Sequence, residues 1–134
     1  MRTVTTPSAS DCIVVDSSGW VEYLGNGPKA DRFALYLESQ AIHLLPSIVV
    51  YEVHKKIYRE QGGRLATEFL SQAFGFGERL IPLTLELAIL ASQTSLDTGL
   101  PMADAIIYAT AHHHGAQLVT ADSHFANLPK VTLI

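Results

Sequence analysis

Hydrophobic residues in this sequence fall into short continuous runs and longer periodic stretches. Cys12–Val15 is an apolar run typical of a strand buried on both faces of a parallel sheet. Elsewhere apolar residues recur at helical spacing, and Ser47 and Thr84 are the expected N-caps of two helices. The pattern predicts strands at 12–15, 42–45, 79–83, 117–120 and 131–133, and helices at 20–24, 28–37, 48–61, 64–76, 85–98 and 101–114.

Strands and helices alternate along the whole chain. This order predicts an α/β fold, a three-layer α/β/α sandwich with a small, mainly parallel sheet. The 134 residues suffice for one domain, and the chain contains no internal repeat and no low-complexity linker. We expect a single domain at 11–134 after a flexible polar leader at 1–10, which lacks the apolar core of a secretory signal.

The composition narrows the classes of function. Hydrophobic residues make up 48% and charged residues 16%, which excludes a disordered chain. The net charge of −4 excludes binding of nucleic acid by bulk charge, so such binding would need a local patch, a metal ion or a basic partner. No apolar stretch approaches the roughly 20 residues of a membrane span, and the single cysteine, Cys12, suits a cytoplasmic protein.

Four acidic residues stand in unusual positions. Asp16 directly follows the first strand, and Asp122 follows the strand at 117–120 by two residues. Asp104 and Glu52 interrupt the apolar starts of two helices. Ligands of parallel α/β folds bind at the carboxyl ends of the strands, and crowded carboxylates are relieved by a shared cation such as Mg²⁺ or Mn²⁺. Each acid alone also fits a turn, a helix terminus or a solvent-facing position, and spacing does not show that they meet.

Four segments, in order, carry a resemblance to a known family. They are IVVDSSGW at 13–20, SIVVYEVHKK at 47–56, PMADAIIYATA at 101–111 and LVTADSHF at 118–125. The set resembles the PIN domain, and within it the VapC-type toxins of bacterial and archaeal toxin–antitoxin pairs. The family pattern is a strand ending in Asp plus Ser or Thr, a helical Glu, an Asp within an alanine-rich helix, and Thr-x-Asp after a late strand.

The resemblance implies a toxin of a type II, VapBC-like pair. Its activity would be that of a Mg²⁺- or Mn²⁺-dependent endoribonuclease, in which a metal-activated water hydrolyses RNA phosphodiester bonds, as in tRNA or other structured RNA. Ser18 and Thr120 match the family's hydroxyl positions and would orient carboxylates. A homodimer and a groove for a segment of a cognate antitoxin are further implied. The implied catalytic residues and metal ligands are Asp16, Glu52, Asp104 and Asp122.

Basic and aromatic residues give weaker signals. Lys55, Lys56, Arg59 and Arg64 surround the end of the Glu52 helix and fit either an ordinary solvated surface or an RNA-binding patch. His54 and His124 are lesser candidates for phosphate contacts, and the histidines at 112–114 fit a helix end. Apolar residues on the early helices are expected to remain exposed; they are Trp20, Tyr23, Leu24, Phe33 and Tyr36.

Three other functions remain as alternatives. A housekeeping RNA-processing PIN nuclease would differ only in its substrate. A non-catalytic PIN-like interaction module would not need all four acids, which this chain retains. A phosphoaspartyl or receiver-like domain usually has two acids together after the first strand, whereas Asp16 is followed by Ser17 and Ser18.

Overall fold

Neighbouring strands of this protein are all parallel. A computed structural model describes residues 6–134. In chain order the helices and strands are β1 (Cys12–Val15), α1 (Ser17–Leu24), α2 (Ala30–Leu37), β2 (Ile42–His43), β3 (Leu45–Pro46), α3 (Ser47–Gln61), α4 (Gly63–Phe74), β4 (Leu80–Ile81), α5 (Leu85–Thr98), α6 (Met102–His113), β5 (Gln117–Thr120) and β6 (Val131–Leu133).

The main sheet has the strand order β2-β1-β5-β6, and β3 pairs with β4 in a second, two-stranded sheet. Val15 lies opposite Val119, and Thr120 lies opposite Leu133, so the carboxyl ends of β1, β5 and β6 meet at one edge. Val14 and Val119 are fully buried at the centre of the core. The helices flank the sheet, which confirms the predicted α/β/α arrangement.

Local sequence explains where several helices begin and end. Asp16 caps α1, and the side chain of Thr84 caps α5 by accepting a hydrogen bond from the Leu87 amide at 3.2 Å. Gly99, with a φ of +78°, ends α5 in the left-handed conformation. Gly19 lets α1 approach β1, because a Cβ at this position would lie 2.5 Å from the Val15 side chain.

Two predicted strands differ from those observed. The strand at 42–45 is divided, because the Leu44 amide donates to Ile13 while Leu45 pairs with Leu80 of the second sheet. The strand at 79–83 shortens to Leu80–Ile81 behind a 3₁₀ turn at Gly77–Arg79. Pro46 occupies the N-cap position expected for Ser47, whose Oγ instead accepts from the Leu83 amide at 3.2 Å.

The prediction that five apolar residues of the early helices remain exposed is wrong, because each of them is buried or half-buried. Phe33 is fully buried, and Trp20 is 8% exposed because its ring packs edge-on against Phe69 and Phe76 at 6.1 Å. The other three side chains are half-buried against the same core; they are Tyr23, Leu24 and Tyr36. Leu35 of α2 is 40% exposed, and the most exposed large apolar side chains lie on later helices, with Leu85, Ile89 and Leu96 along α5.

The predicted leader lies only partly within the described residues. Residues 1–5 are outside them. Ser8 and Asp11 form an exposed turn, in which the Ser8 amide donates to the Asp11 carboxylate at 2.8 Å. Within residues 6–134, no helix combines the length and the apolar character that crossing a membrane requires.

Candidate active site

Asp16 is a buried carboxylate at the end of β1. The residue as a whole is only 2% exposed. Oδ1 accepts from the Ser18 hydroxyl and the Gly19 amide, and Oδ2 accepts from the Thr120 hydroxyl at 2.8 Å. Donors from α1 and β5 therefore hold both carboxylate oxygens in one orientation.

Hydroxyl groups join the ends of β1 and β5. Thr120 Oγ1 donates to Asp16 and accepts from the Asp122 amide at 2.9 Å. Ser18 Oγ accepts from the Ala121 amide at 3.1 Å. These bonds couple the backbone after β5 to the start of α1, so Asp122 emerges beside Asp16.

Glu52 enters the same region from α3. Its Oε1 accepts a hydrogen bond from the Ser17 hydroxyl at 3.0 Å, and Ser17 is the first residue of α1. The two neighbouring serines of α1 thus contact two different carboxylates, Ser17 holding Glu52 and Ser18 holding Asp16. Ser17 is not among the site residues predicted from the sequence, although its position directly after Asp16 was a usable signal.

Asp104, Asp122 and His124 form the open side of the site. Nδ1 of His124 lies 3.1 Å from Asp104 Oδ2 and 3.4 Å from Asp122 Oδ1. One potential ligand atom from each residue lies within 4.8 Å of the other two. The side chains are 15%, 30% and 62% exposed for Asp104, Asp122 and His124, so the group faces solvent.

Burial, together with neighbouring negative charge, raises the pKa values of three of the carboxylates, Asp16, Glu52 and Asp104. Burial raises the pKa of Asp16 to about 6, against the hydrogen bonds from Ser18, Thr120 and Gly19, and the Asp122 charge adds to the rise. Burial also raises the pKa of Glu52, with contributions from Asp104 and Asp122. The pKa of Asp104 rises for the same reason, although its hydrogen bond with His124 opposes the shift.

The donor set fits a divalent cation. Within the described part of the chain, no Lys or Arg nitrogen lies within 4 Å of Asp16, Glu52, Asp104 or Asp122. Carboxylate oxygens are the ligands that hard divalent ions prefer, and such an ion would relieve the mutual repulsion of the acids. One imidazole joins this oxygen set, at the position of His124.

A groove of about 440 Å³, which we call the α3 groove, opens beside the acids. Its lining includes Ser17, Ser18 and Glu52, together with Lys55, Lys56 and Arg59. Lys56 and Arg59 lie 3.6 and 3.8 Å from Glu60. Arg64 is not part of this lining and pairs with Glu68 at 3.6 Å.

A family model and several solved structures are similar to this chain. The chain matches the family model of the PIN domain over residues 13–131. No curated protein sequence matches it. A toxin–antitoxin complex from Klebsiella pneumoniae is 20% identical with a TM-score of 0.72, and the alignment covers 90% of this chain and 95% of that one.

Two further structures have the same fold. Mycobacterium tuberculosis VapC20, described as a sarcin–ricin loop cleaving toxin, is 20% identical with a TM-score of 0.72, over 89% of this chain and 96% of its own. FitAcB from Neisseria gonorrhoeae is 21% identical with a TM-score of 0.62, over 84% and 88%. The family match extends from β1 to the first residue of β6 and includes all four acids. The chain belongs to the PIN domain family.

Proposed function

We propose that this protein is a divalent-metal-dependent endoribonuclease and the toxin of a type II, VapBC-like toxin–antitoxin pair. The observation that carries the proposal is the convergence of four carboxylates from β1, α3, α6 and the segment after β5. Within the described residues no Lys or Arg side chain neutralises them. Mutual repulsion makes four neighbouring carboxylates unfavourable in the absence of a cation, whereas together they can bind a divalent cation.

Asp16, Glu52, Asp104 and Asp122 would hold the cation, either Mg²⁺ or Mn²⁺. The bound ion supplies activation of the attacking water and neutralisation of the charge that develops on the phosphate. Ser18 and Thr120 keep the Asp16 carboxylate in one orientation. Ser17 does the same for Glu52.

The α3 groove would bind the RNA backbone. Lys55, Lys56 and Arg59 line it together with Glu52, so phosphates bound by these cations would lead directly to the acids. Because the net charge of −4 does not favour RNA binding by the protein as a whole, this local basic patch would provide the positive charge that RNA binding requires. VapC20 is described as cleaving the sarcin–ricin loop, which supports a structured RNA, such as tRNA or an rRNA loop, as substrate.

The proposal includes two interfaces with other proteins, one for a cognate antitoxin and one for a second copy of this chain. A second groove of about 410 Å³, lined by apolar residues such as Leu24 and Phe69 together with charged residues such as Lys56, Glu60 and Glu68, offers a site for a segment of a cognate antitoxin. The similar structures from several bacteria are toxin–antitoxin assemblies.

A homodimer would cover exposed apolar residues of α5. Leu85, Ile89 and Leu96 are 78%, 52% and 85% exposed, and their spacing puts them along one face of the helix. Action on cellular RNA would take place in the cytoplasm.

Cleavage of a pool of structured RNAs by the purified protein tests the activity. We expect cleavage with Mn²⁺ or Mg²⁺, none with chelator, and none by the Asp16→Asn or Asp104→Asn variants. Cleavage that survives both substitutions would contradict the proposed site. Growth arrest on expression, relieved by a small gene adjacent to this one, would separate a toxin from a housekeeping nuclease.

A further inference from the structure

His124 is held among the acids by the backbone around it. Its amide donates to Asp122 Oδ1 at 2.9 Å, in a 3₁₀ turn at Ser123–Phe125. The next residue, Phe125, is fully buried and stacks with Tyr108 at 6.5 Å. The buried Phe125 anchors the turn, so the position of the His124 imidazole between Asp104 and Asp122 does not depend on the imidazole itself.

The distances in this group are those of neighbouring metal ligands. Two ligands at right angles around an ion, with bonds of about 2.1 Å, lie about 3.0 Å apart. Nδ1 of His124 lies 3.1 Å from one carboxylate oxygen of Asp104 and 3.4 Å from one of Asp122. Replacing the contact between Nδ1 and Asp104 with coordination of both atoms to one cation therefore needs only a small adjustment of the three side chains.

We infer that Nδ1 of His124 is a nitrogen ligand of the cation and gives the site a preference for Mn²⁺ over Mg²⁺. The inference rests on the proposed function, since it concerns the same cation. Mg²⁺ takes oxygen ligands almost exclusively and gives up its waters reluctantly, whereas imidazole nitrogen adds affinity for first-row transition ions. A site of carboxylates alone would not distinguish the two ions in this way.

A different role for His124 makes a different prediction. If the imidazole only donates a hydrogen bond to Asp104, it orients that carboxylate and affects both ions equally. Asn can place an amide N–H near the position of Nδ1 but offers no ring nitrogen. The His124→Asn variant therefore retains a hydrogen-bond donor and exchanges the nitrogen ligand for a hard amide oxygen, while His124→Ala removes both donor and ligand.

The experiment adds Mn²⁺ and Mg²⁺ separately to the purified full-length protein and to three variants. The variants are His124→Ala, His124→Asn and, as a control, His113→Ala, an exposed histidine at the end of α6. Calorimetric titration gives the affinity for each ion. Pulsed electron paramagnetic resonance of bound Mn²⁺ detects coupling to a directly ligated ¹⁴N nucleus, and circular dichroism confirms that each variant is folded.

We expect ¹⁴N coupling in the wild type and in His113→Ala, and its loss in both His124 variants. Loss of an outer contact alone costs about ten- to hundredfold in metal affinity, so Mn²⁺ affinity should fall at least about tenfold in both His124 variants. Mg²⁺ affinity should change much less, so the preference for Mn²⁺ disappears.

Several results would overturn the inference. They are ¹⁴N coupling that survives in His124→Ala, a proportional loss of both affinities, or wild-type behaviour of His124→Asn. Wild-type protein that binds Mn²⁺ without ¹⁴N coupling would reject the nitrogen ligand and leave the proposed nuclease intact. A wild-type protein that binds neither ion would overturn both.

Discussion

The acids beside the α3 groove and the basic residues that line it are held in opposite ways. On the acidic side, Asp16 lies behind the groove, is 2% exposed, and accepts hydrogen bonds at both oxygens, while Glu52 lines the groove and accepts from Ser17. On the basic side, the Lys56 and Arg59 side chains are 45% and 64% exposed and pair only loosely with Glu60. The acids are fixed before any ligand arrives, whereas the bases keep most of their rotamer freedom.

This difference matches two different tasks. Positioning a cation and a reacting phosphate requires carboxylates in one geometry, and holding like charges together lowers the stability of the metal-free protein. Contacting a flexible RNA backbone requires only positive charge within reach. Substitutions on the acidic side should therefore have large effects on turnover, and those on the basic side should have small effects on binding.

The largest effect is expected from Asp104→Asn. Loss of this carboxylate removes one of the four proposed ligands and the hydrogen-bond partner of His124. Cleavage should fall by about a thousandfold, the scale seen when one electrostatic element of an active site is removed. Initial rates of RNA cleavage at saturating Mn²⁺ provide the measurement. Asp97→Asn, the same change at an exposed position of α5, should have normal activity. Comparable rates for the two variants would contradict the assignment.

Asp16→Asn should stabilise the metal-free protein although it also impairs cleavage. Folding raises the pKa of Asp16 from its ordinary value of 3.8 to about 6, so the folded state binds the proton more tightly than the unfolded state. The stability contributed by the protonated carboxyl is present at low pH and is lost as the pH rises from about 4 to about 6. A shift of this size corresponds to about 3 kcal/mol, on the scale of 1.36 kcal/mol for each pKa unit.

Urea unfolding in chelator, repeated across this pH range, measures the effect. Asp16→Asn should exceed the wild type in unfolding free energy near neutral pH, and the difference should vanish near pH 4. A difference that is independent of pH would show that ionisation of Asp16 does not destabilise the fold. Saturating Mn²⁺ should reverse the order, because the cation binds the folded wild type and stabilises it by mass action.

The third effect is intermediate and concerns Thr120→Val. The substitution keeps the shape of the side chain but removes the hydroxyl that donates to Asp16 and accepts from the Asp122 amide. Metal affinity or cleavage should fall about ten- to hundredfold, as for other groups that orient a metal ligand. Unfolding free energy should drop by about 1–3 kcal/mol, because polar groups lose their partner in a buried place.

Thr132→Val is the matched control for that experiment. Thr132 lies on the neighbouring strand β6 and accepts a side-chain hydrogen bond from Gln117 at 3.0 Å, away from the acids. It should lose some stability and no metal affinity. Equal losses of metal affinity in the two variants would mean that the Thr120 hydroxyl has no special role in the site.

The parts of this structure that the sequence predicts are those with a local cause. Continuous apolar runs predict β1 and β5. Asp16 and Asp104 are recognisable as candidate site residues because each places a carboxylate in apolar surroundings. The division of the strand at 42–45 could not be predicted, because it depends on pairing with β4, more than thirty residues later. Trp20 is buried for the same kind of reason, since its aromatic neighbours come from α4 and the segment after it.

The place of His124 in the acidic group could not be predicted from its local sequence. As a sequence neighbour of Asp122 it fits an ordinary turn, and only its approach to Asp104, twenty residues earlier on α6, brings it into the acidic group. The four basic residues around the end of α3 gave the same signal in the sequence, yet only three of them line the α3 groove. Spacing along a helix does not determine which face meets a site on a different element.

That difference among the basic residues provides the smallest predicted effect. Arg59 lines the α3 groove, whereas Arg64 pairs with Glu68 outside it, and both side chains are largely exposed. Arg59→Ala should raise the KM for RNA several-fold with an unchanged kcat, because a phosphate contact on the backbone is equally strong in the ground state and the transition state. The slope of log affinity against log salt concentration should fall by about one, as expected for one lost phosphate contact.

Arg64→Ala is the matched control. It removes the same charge from the same protein and should leave the KM for RNA and the salt dependence of binding unchanged. If the two variants weaken RNA binding equally, the RNA is held by the general positive charge around the end of α3, and the assignment of the α3 groove as the path of the RNA backbone is wrong.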